Sequence, residues 1–202
     1  AAALTIDRLW WGGPPGSDPA LPFAGSLPTL TPCQAGSEWV WDEVRFRFLW
    51  PPIGWSAGRE ENAYSCVVQI ETRAGARFVV SGDLPAREET LVIALNPERQ
   101  ENQPTVVVAG HHGSKTSSSP AWTNFWQPQA VLIATGAFNP FGHPDCSVVD
   151  RWEASGAALW RTDRDGAITV TLAETTIAIE SARAATPRYW RVSPPIPRCG
   201  RP

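Results

Sequence analysis

Short apolar runs, each closed by glycine, recur along this chain and limit what it can fold into. Arg77-Phe78-Val79-Val80-Ser81-Gly82 ends at Asp83, Thr105–Ala109 ends at Gly110 and two histidines, and Ala130–Thr135 ends at Gly136. Runs of this length, rich in β-branched residues, read as buried strands. Ala86–Leu95, Ser119–Gln127 and Ser147–Ala154 carry helical patterns around them, with Pro120 suited to a first turn. Alternation of buried strand and helix predicts an α/β layer architecture.

Upstream the texture differs. Residues 12–36 are rich in Pro and Gly and read as an irregular connection. Glu38–Trp41 and Val44–Trp50 flank Asp42-Glu43, and the second alternates Val44, Phe46, Phe48 and Trp50 against Arg45 and Arg47, a half-buried strand pattern. Tyr64–Thr72 and Arg77–Ser81 surround Ala74-Gly75-Ala76 as a hairpin. Ala158–Arg161, Ala167–Leu172 and Thr176–Ile179 read as closing strands, and the sequence turns Pro- and Arg-rich from Thr186. The expected organisation is an irregular segment over 1–37, one domain over 38–183 and a tail over 184–202.

Composition narrows the function classes. No stretch reaches eighteen consecutive apolar residues, so none reads as a membrane-spanning helix. The formal net charge of −3 argues against a passive nucleic-acid binder, which is usually basic. It leaves room for a metal-dependent nuclease, whose cations neutralise phosphate. Cys33, Cys66, Cys146 and Cys199 are too widely spaced for a zinc knuckle. Methionine is absent even at position 1, so the chain is expected to be a piece of a longer polypeptide. Most of the eleven tryptophans sit in strand or amphipathic patterns and are expected in the core.

The titratable residues most able to do chemistry follow the apolar runs. All three histidines fall in two loops: His111 and His112 in Gly-His-His-Gly-Ser-Lys-Thr-Ser-Ser-Ser, and His143 in Asn-Pro-Phe-Gly-His-Pro. With Asp83, three strand ends deliver imidazole or carboxylate, the donor set of zinc or manganese. Imidazole also moves protons near neutral pH. Ser114, Thr116 and the following helix start have the groups that hold a phosphate, and Lys115, the chain's one lysine, adds a point charge. Gly110 and Gly113 permit close backbone approach. The bland alternatives are a turn residue at Asp83 and a polar loop capping a helix at Ser118 or Ser119.

Three motifs in order, Val-Ser-Gly-Asp, Gly-His-His-Gly-Ser-Lys-Thr and Asn-Pro-Phe-Gly-His-Pro, resemble the metallo-β-lactamase domain of ComEC-type competence proteins. The similarity runs over roughly residues 38–170 and includes Asp42–Phe46, Glu61–Val68 and Arg161–Ile168. It implies the C-terminal portion of a metallo-β-lactamase-like αββα sandwich. It also implies part of a metal-dependent nuclease in a bacterial inner-membrane protein that takes up DNA, with the soluble domain facing the periplasm. Two divalent ions, zinc or manganese, are expected in the intact domain, bound in part by Asp83, His112 and His143. His111 and His112 are expected at the reaction centre, and Ser114, Lys115, Thr116 and Asn139 at phosphate or substrate. DNA and other DNA-uptake proteins are the expected partners, with membrane contact through segments upstream.

Two departures bear on activity. No histidine precedes His111, so the family's early Asp-His ligand loop is missing and the chain alone is expected to be weakly active. Trp50-Pro51 stands where the family often has His-Pro. Two other readings therefore stay open: a non-catalytic DNA-guiding module with a degenerate site, and another phosphodiesterase on the same fold. A periplasmic domain meets oxidising conditions, and a Cys33–Cys66 disulfide is expected if their strands are neighbours. Cys199, in the tail, is a poor candidate for a structural bridge, and Cys146, beside His143-Pro144, is read as a reactive or adventitious metal-binding thiol instead.

Overall fold

The computed structural model describes residues 6, 8–14, 16, 17, 29–58, 60–98, 103–173, 176–186 and 199. Most of the tail read over 184–202 lies outside the described residues. The elements are β1 (Arg8–Trp11), β2 (Thr29–Pro32), β3 (Glu38–Trp41), β4 (Val44–Trp50), β5 (Val67–Glu71), β6 (Arg77–Val80), α1 (Ala86–Leu95) and β7 (Thr105–Val108). They continue with α2 (Pro120–Trp126), β8 (Ala130–Ile133), α3 (Cys146–Ala154), β9 (Ala158–Arg161), α4 (Thr162–Asp165), β10 (Ile168–Leu172), β11 (Ile177–Ser181) and α5 (Ala182–Ala185).

β3 to β9 form one seven-stranded sheet in chain order. The first pairings, β3–β4, β4–β5 and β5–β6, are antiparallel. From β6 onward they are parallel, because a helical crossover returns each strand in the same direction. This is an α/β fold with a large mixed sheet and helices, compatible with an α/β sandwich. Two differences from the sequence reading are local. The stretch read as irregular contains β1 and β2, which pair in parallel. Tyr64 closes a short 3-10 turn, Glu61–Tyr64, rather than opening β5.

Alternation along the strands separates two chemistries. On one face, Val79, Val107 and Val131 pack beneath α1, α2 and α3, against Val92, Trp122 and Trp152, all of them fully buried. On the other face Phe46, Ile70, Phe78, Leu132 and Trp160 stay half-buried. There Trp39 stacks between Trp10, at 5.3 Å, and Phe46, at 5.0 Å between ring centroids. The tryptophans divide accordingly: Trp50, Trp122, Trp126 and Trp152 are buried, whereas Trp41 is 68% exposed on the edge strand, not in the core.

Cys33 and Cys66 form a disulfide with Cα atoms 5.7 Å apart. It ties the segment after β2 to the start of β5. The expectation for the other two cysteines is overturned: Cys146 and Cys199 are also bridged, at 4.9 Å between Cα atoms. Sequence distance hid this pair, since only the folded chain brings residue 199 against the N-terminus of α3. The Cys33–Cys66 loop has a sequence separation of 33. Restricting an unfolded loop of that size is worth roughly 3–4 kcal/mol in the chain-entropy model. The Cys33→Ser/Cys66→Ser variant should therefore lose about that much stability in urea unfolding. An unchanged midpoint, or recovery of both cysteines as free thiols in non-reducing peptide maps, contradicts the expectation.

Candidate functional site

The carboxyl ends of three consecutive parallel strands deliver the candidate residues to one rim of the sheet. Asp83 follows β6, His111 and His112 follow β7, and His143 follows β8. In open α/β sheets this rim is where ligands collect.

The histidine loop leaves β7 through an unusual backbone. His111 and His112 have φ of 49° and 56°, the left-handed region, and Gly113 follows at 79°. Two successive non-glycine residues there store strain that the surroundings must hold. His111 N–H donates to Gly82 O at 2.9 Å, tying the loop to the turn before Asp83. Asp145 N–H donates to Gly113 O at 2.9 Å, tying it to the loop after β8. A Cβ on Gly113 would lie 2.7 Å from Pro144 Cβ, so glycine here serves close packing of two protein loops rather than approach to a ligand. Ser117 Oγ–H donates to Gly110 O at 2.7 Å.

A buried carboxylate secures the far end of the loop. Glu89 of α1, fully buried, accepts from Ser118 N–H at 2.6 Å and Ser119 N–H at 2.7 Å. Burial pushes the Glu89 carboxyl above its usual range, while the Ser119 and Ser118 donors and the Arg151 charge pull it back. Arg151 Nη1 also donates to Ser118 O. Ser119 caps α2 by accepting from Trp122 N–H at 3.2 Å. Sequence reading missed Glu89, because helix periodicity alone does not separate a buried carboxylate from a solvated one.

The side chains of the cluster are neighbours. His112 Nδ1 lies 2.7 Å from Ala134 O. A carbonyl only accepts, so Nδ1 carries the proton and, in the neutral ring, Nε2 carries the lone pair. That nitrogen lies 3.9 Å from Asp83 Oδ1. A lone pair facing a carboxylate oxygen calls for positive charge between them, a proton or a cation. Asp83 is itself held by its N–H, which donates to Ser65 Oγ at 3.2 Å. The His111 ring lies 6.5 Å from His112 and 5.9 Å from His143, centroid to centroid. Thr116 Oγ1 sits 3.3 Å from His111 Nδ1.

Asn139 clamps the His143 backbone from both sides. Its Oδ1 accepts from His143 N–H at 2.9 Å, and its Nδ2 donates to His143 O at 2.7 Å. Phe141 stacks on the His143 ring at 5.8 Å. Burial and the neighbouring His111 and His112 hold the His143 imidazole below its usual range, with Asp145 and Asp83 opposing. Asp145 is held low by the Ser147 hydroxyl and N–H, and it caps α3 by accepting from the Ser147 N–H. A hollow of about 320 Å³ opens here, between His112, Thr135, Asn139, Phe141 and His143.

The proposed phosphate contacts divide. Lys115 and Thr116 are exposed. Ser114 is buried and bonds Thr116 Oγ1 at 3.0 Å, so its hydroxyl serves the loop. Asn139 likewise serves the backbone of His143.

The donor chemistry fits a divalent cation in part. His112 and Asp83 form an imidazole–carboxylate pair whose second-nitrogen hydrogen bond fixes the tautomer, as at metal-binding histidines. His143 shares the face without joining them: among the described residues no three His, Cys, Asp or Glu side chains form a group that could hold a metal ion. Trp50 is fully buried and donates from Nε1 to Ala63 O at 2.8 Å. It is a core residue.

No protein-family profile matches the chain. Individual proteins do. Competence protein ComA of Neisseria gonorrhoeae is 33% identical over 160 residues, 79% of this chain and 22% of that protein. Recombination protein 2 of Haemophilus influenzae is 30% identical over 79% of the chain and 19% of its own length. ComE operon protein 3 of Bacillus subtilis is 29% identical over 62% of the chain and 16% of its own length. The chain is thus a homologue, over most of its length, of competence and recombination proteins of which it spans about a fifth.

Proposed function

We propose that this chain handles DNA in a competence-type uptake system, and that its histidine rim is part of a divalent-metal phosphodiester hydrolase site. The observation that carries the reading is the delivery of Asp83, His111, His112 and His143 to one rim by three consecutive parallel strands. The names of the relatives supply the context of competence. On this reading the half-buried aromatic face of the sheet packs against a second sheet, completing a metallo-β-lactamase-like sandwich.

His112 and Asp83 are the residues that would hold zinc or manganese, with His143 closing the site once further donors are present. When bound, such an ion polarises a phosphate oxygen and lowers the pKa of water. The chain's own groups have separate tasks. Ala134 O orients His112. Thr116 orients His111, which is placed to carry a proton. Exposed Lys115 draws the phosphate backbone toward the rim. Asn139 positions His143, and Phe141 walls the hollow beside it.

The two disulfides agree with an oxidising compartment, as a periplasmic face of an inner-membrane protein would be. Among the described residues no helix is long and apolar enough to cross a membrane; on this reading membrane contact is made through segments upstream. Other DNA-uptake proteins are the proposed partners.

A second reading, a DNA guide without catalysis, is favoured by the absence of a three-donor set among the described residues. Cleavage assays separate the two. The 202-residue chain is expected to cut DNA weakly. A polypeptide that adds an upstream Asp-His loop is expected to cut it with manganese or zinc, and to stop when chelated. An extended polypeptide that binds DNA but never cleaves it, with either metal, leaves the guide reading.

A further inference from the structure

At the opposite end of the same strands lies a larger groove, of about 820 Å³, to which the histidine rim contributes nothing. Its floor is the sheet face that α1 and α2 leave uncovered, where Arg77 opens β6, Thr105 opens β7 and Gln129 precedes β8. One wall is β4, carrying Arg45 and Arg47 on that face. The opposite wall is the end of α2, with Phe125 and Trp126 packed edge to face at 5.0 Å.

The groove is lined by three guanidinium groups, Arg45, Arg47 and Arg77, against two carboxylates, Glu71 and Glu98. Arg45 and Arg47 stand across from Glu71 and Gln69 in the β4–β5 register. Glu71, however, accepts from Gln69 at 2.9 Å and from Arg77 at 3.4 Å. Among the described residues this leaves neither Arg45 nor Arg47 with an ion-pair or hydrogen-bond partner. The two guanidinium groups leave one strand two residues apart, about 7 Å by strand rise, a spacing on the scale of successive phosphates along an extended nucleic-acid strand. Guanidinium groups bind phosphate oxygens in pairs. Gln103 and Gln129 add amide donors and acceptors that suit base edges, and Phe125 adds an aromatic edge. A groove of this volume holds a ligand-sized segment, not the width of a duplex.

We propose that this groove binds single-stranded nucleic acid through its phosphates, at Arg45 and Arg47, as a site separate from the histidine rim. Only the identity of the polyanion rests on the reading of the chain as a DNA-handling protein.

The test is fluorescence anisotropy of a labelled oligothymidylate with the 202-residue chain, over a salt series. Arg45→Gln/Arg47→Gln is expected to weaken binding on the order of tenfold. It should also flatten the slope of log K against log salt by about 1.4, from two lost phosphate contacts at about 0.7 each. Arg45→Lys/Arg47→Lys should keep the slope. Gln129→Glu, at an exposed position, should weaken binding without touching either arginine, which covers the case in which the double variant fails to fold. A folded double variant with parental affinity and slope overturns the proposal. So does a parent chain that does not bind the oligonucleotide, or that binds poly-glutamate or duplex more tightly. The two readings fail separately. Arginine-dependent binding without cleavage by any extended polypeptide removes the nuclease and keeps the groove. Metal-dependent cleavage with arginine-independent binding does the reverse.

Discussion

Replacing Asp83 by asparagine in a cleavage-competent extended polypeptide is expected to lower phosphodiester hydrolysis by roughly 100-fold or more, because it removes one of the two side chains proposed to hold the metal, a larger change than the roughly 10- to 100-fold loss when only a ligand's outer partner is removed. The variant keeps the side chain's size and its N–H bond to Ser65 Oγ, so the turn after β6 should persist. It removes the charge that faces His112 Nε2 at 3.9 Å. His112→Ala should cost a similar factor, and the pair together little more than either alone, because groups that act as a unit are not additive. Binding of oligothymidylate should be unaffected by either change if it occurs in the arginine groove. Rates measured with manganese and with zinc decide the matter: an Asp83→Asn variant within tenfold of the parent removes Asp83 from the reaction centre.

The second large effect concerns stability. Trp50→His, which introduces a potential metal ligand before Pro51, is expected to cost about 3–5 kcal/mol, the range for removing a buried aromatic side chain. Trp50 is fully buried, packs edge to face on Trp55 at 4.5 Å, and satisfies Ala63 O. Histidine leaves a cavity and brings a second polar nitrogen into apolar surroundings. Guanidinium unfolding should show a lower midpoint, and calorimetric titration should show no gain in zinc binding. A variant as stable as the parent with a new zinc site would mean that this position faces the rim after all.

Much of the layout was legible from local pattern. β-branched runs of four or five residues gave β6, β7 and β8, since such runs satisfy burial on both faces only inside a sheet. Pro120 and the serines before it marked the start of α2, and Arg45 and Arg47 alternating with Phe46 and Phe48 marked a strand with two unlike faces. The grouping of Asp83, His111, His112 and His143 on one rim also followed from sequence, because each comes after a parallel strand and parallel strands end together. Shorter-range details did not follow. Ser114 bonds Thr116 Oγ1 and Asn139 holds the His143 backbone, and which hydroxyl or amide turns inward depends on backbone geometry that composition does not encode.

What the sequence by itself determined is therefore the order of strands and helices, the two faces of β4, and the rim at which the titratable residues emerge. These depend on periodicity and on the direction of each connection, which are local. Tertiary structure alone decided the rest. It joined Cys146 to Cys199 across 53 positions. It sank Trp50 into the core, and it brought Glu89 under the loop that holds the histidines. It also assembled the groove, where Arg45 and Arg47 of one strand meet the end of α2. Each of these is a pairing between residues far apart in the chain. Such pairings are set by how layers pack and which polar groups must find partners away from water, and no local pattern records them.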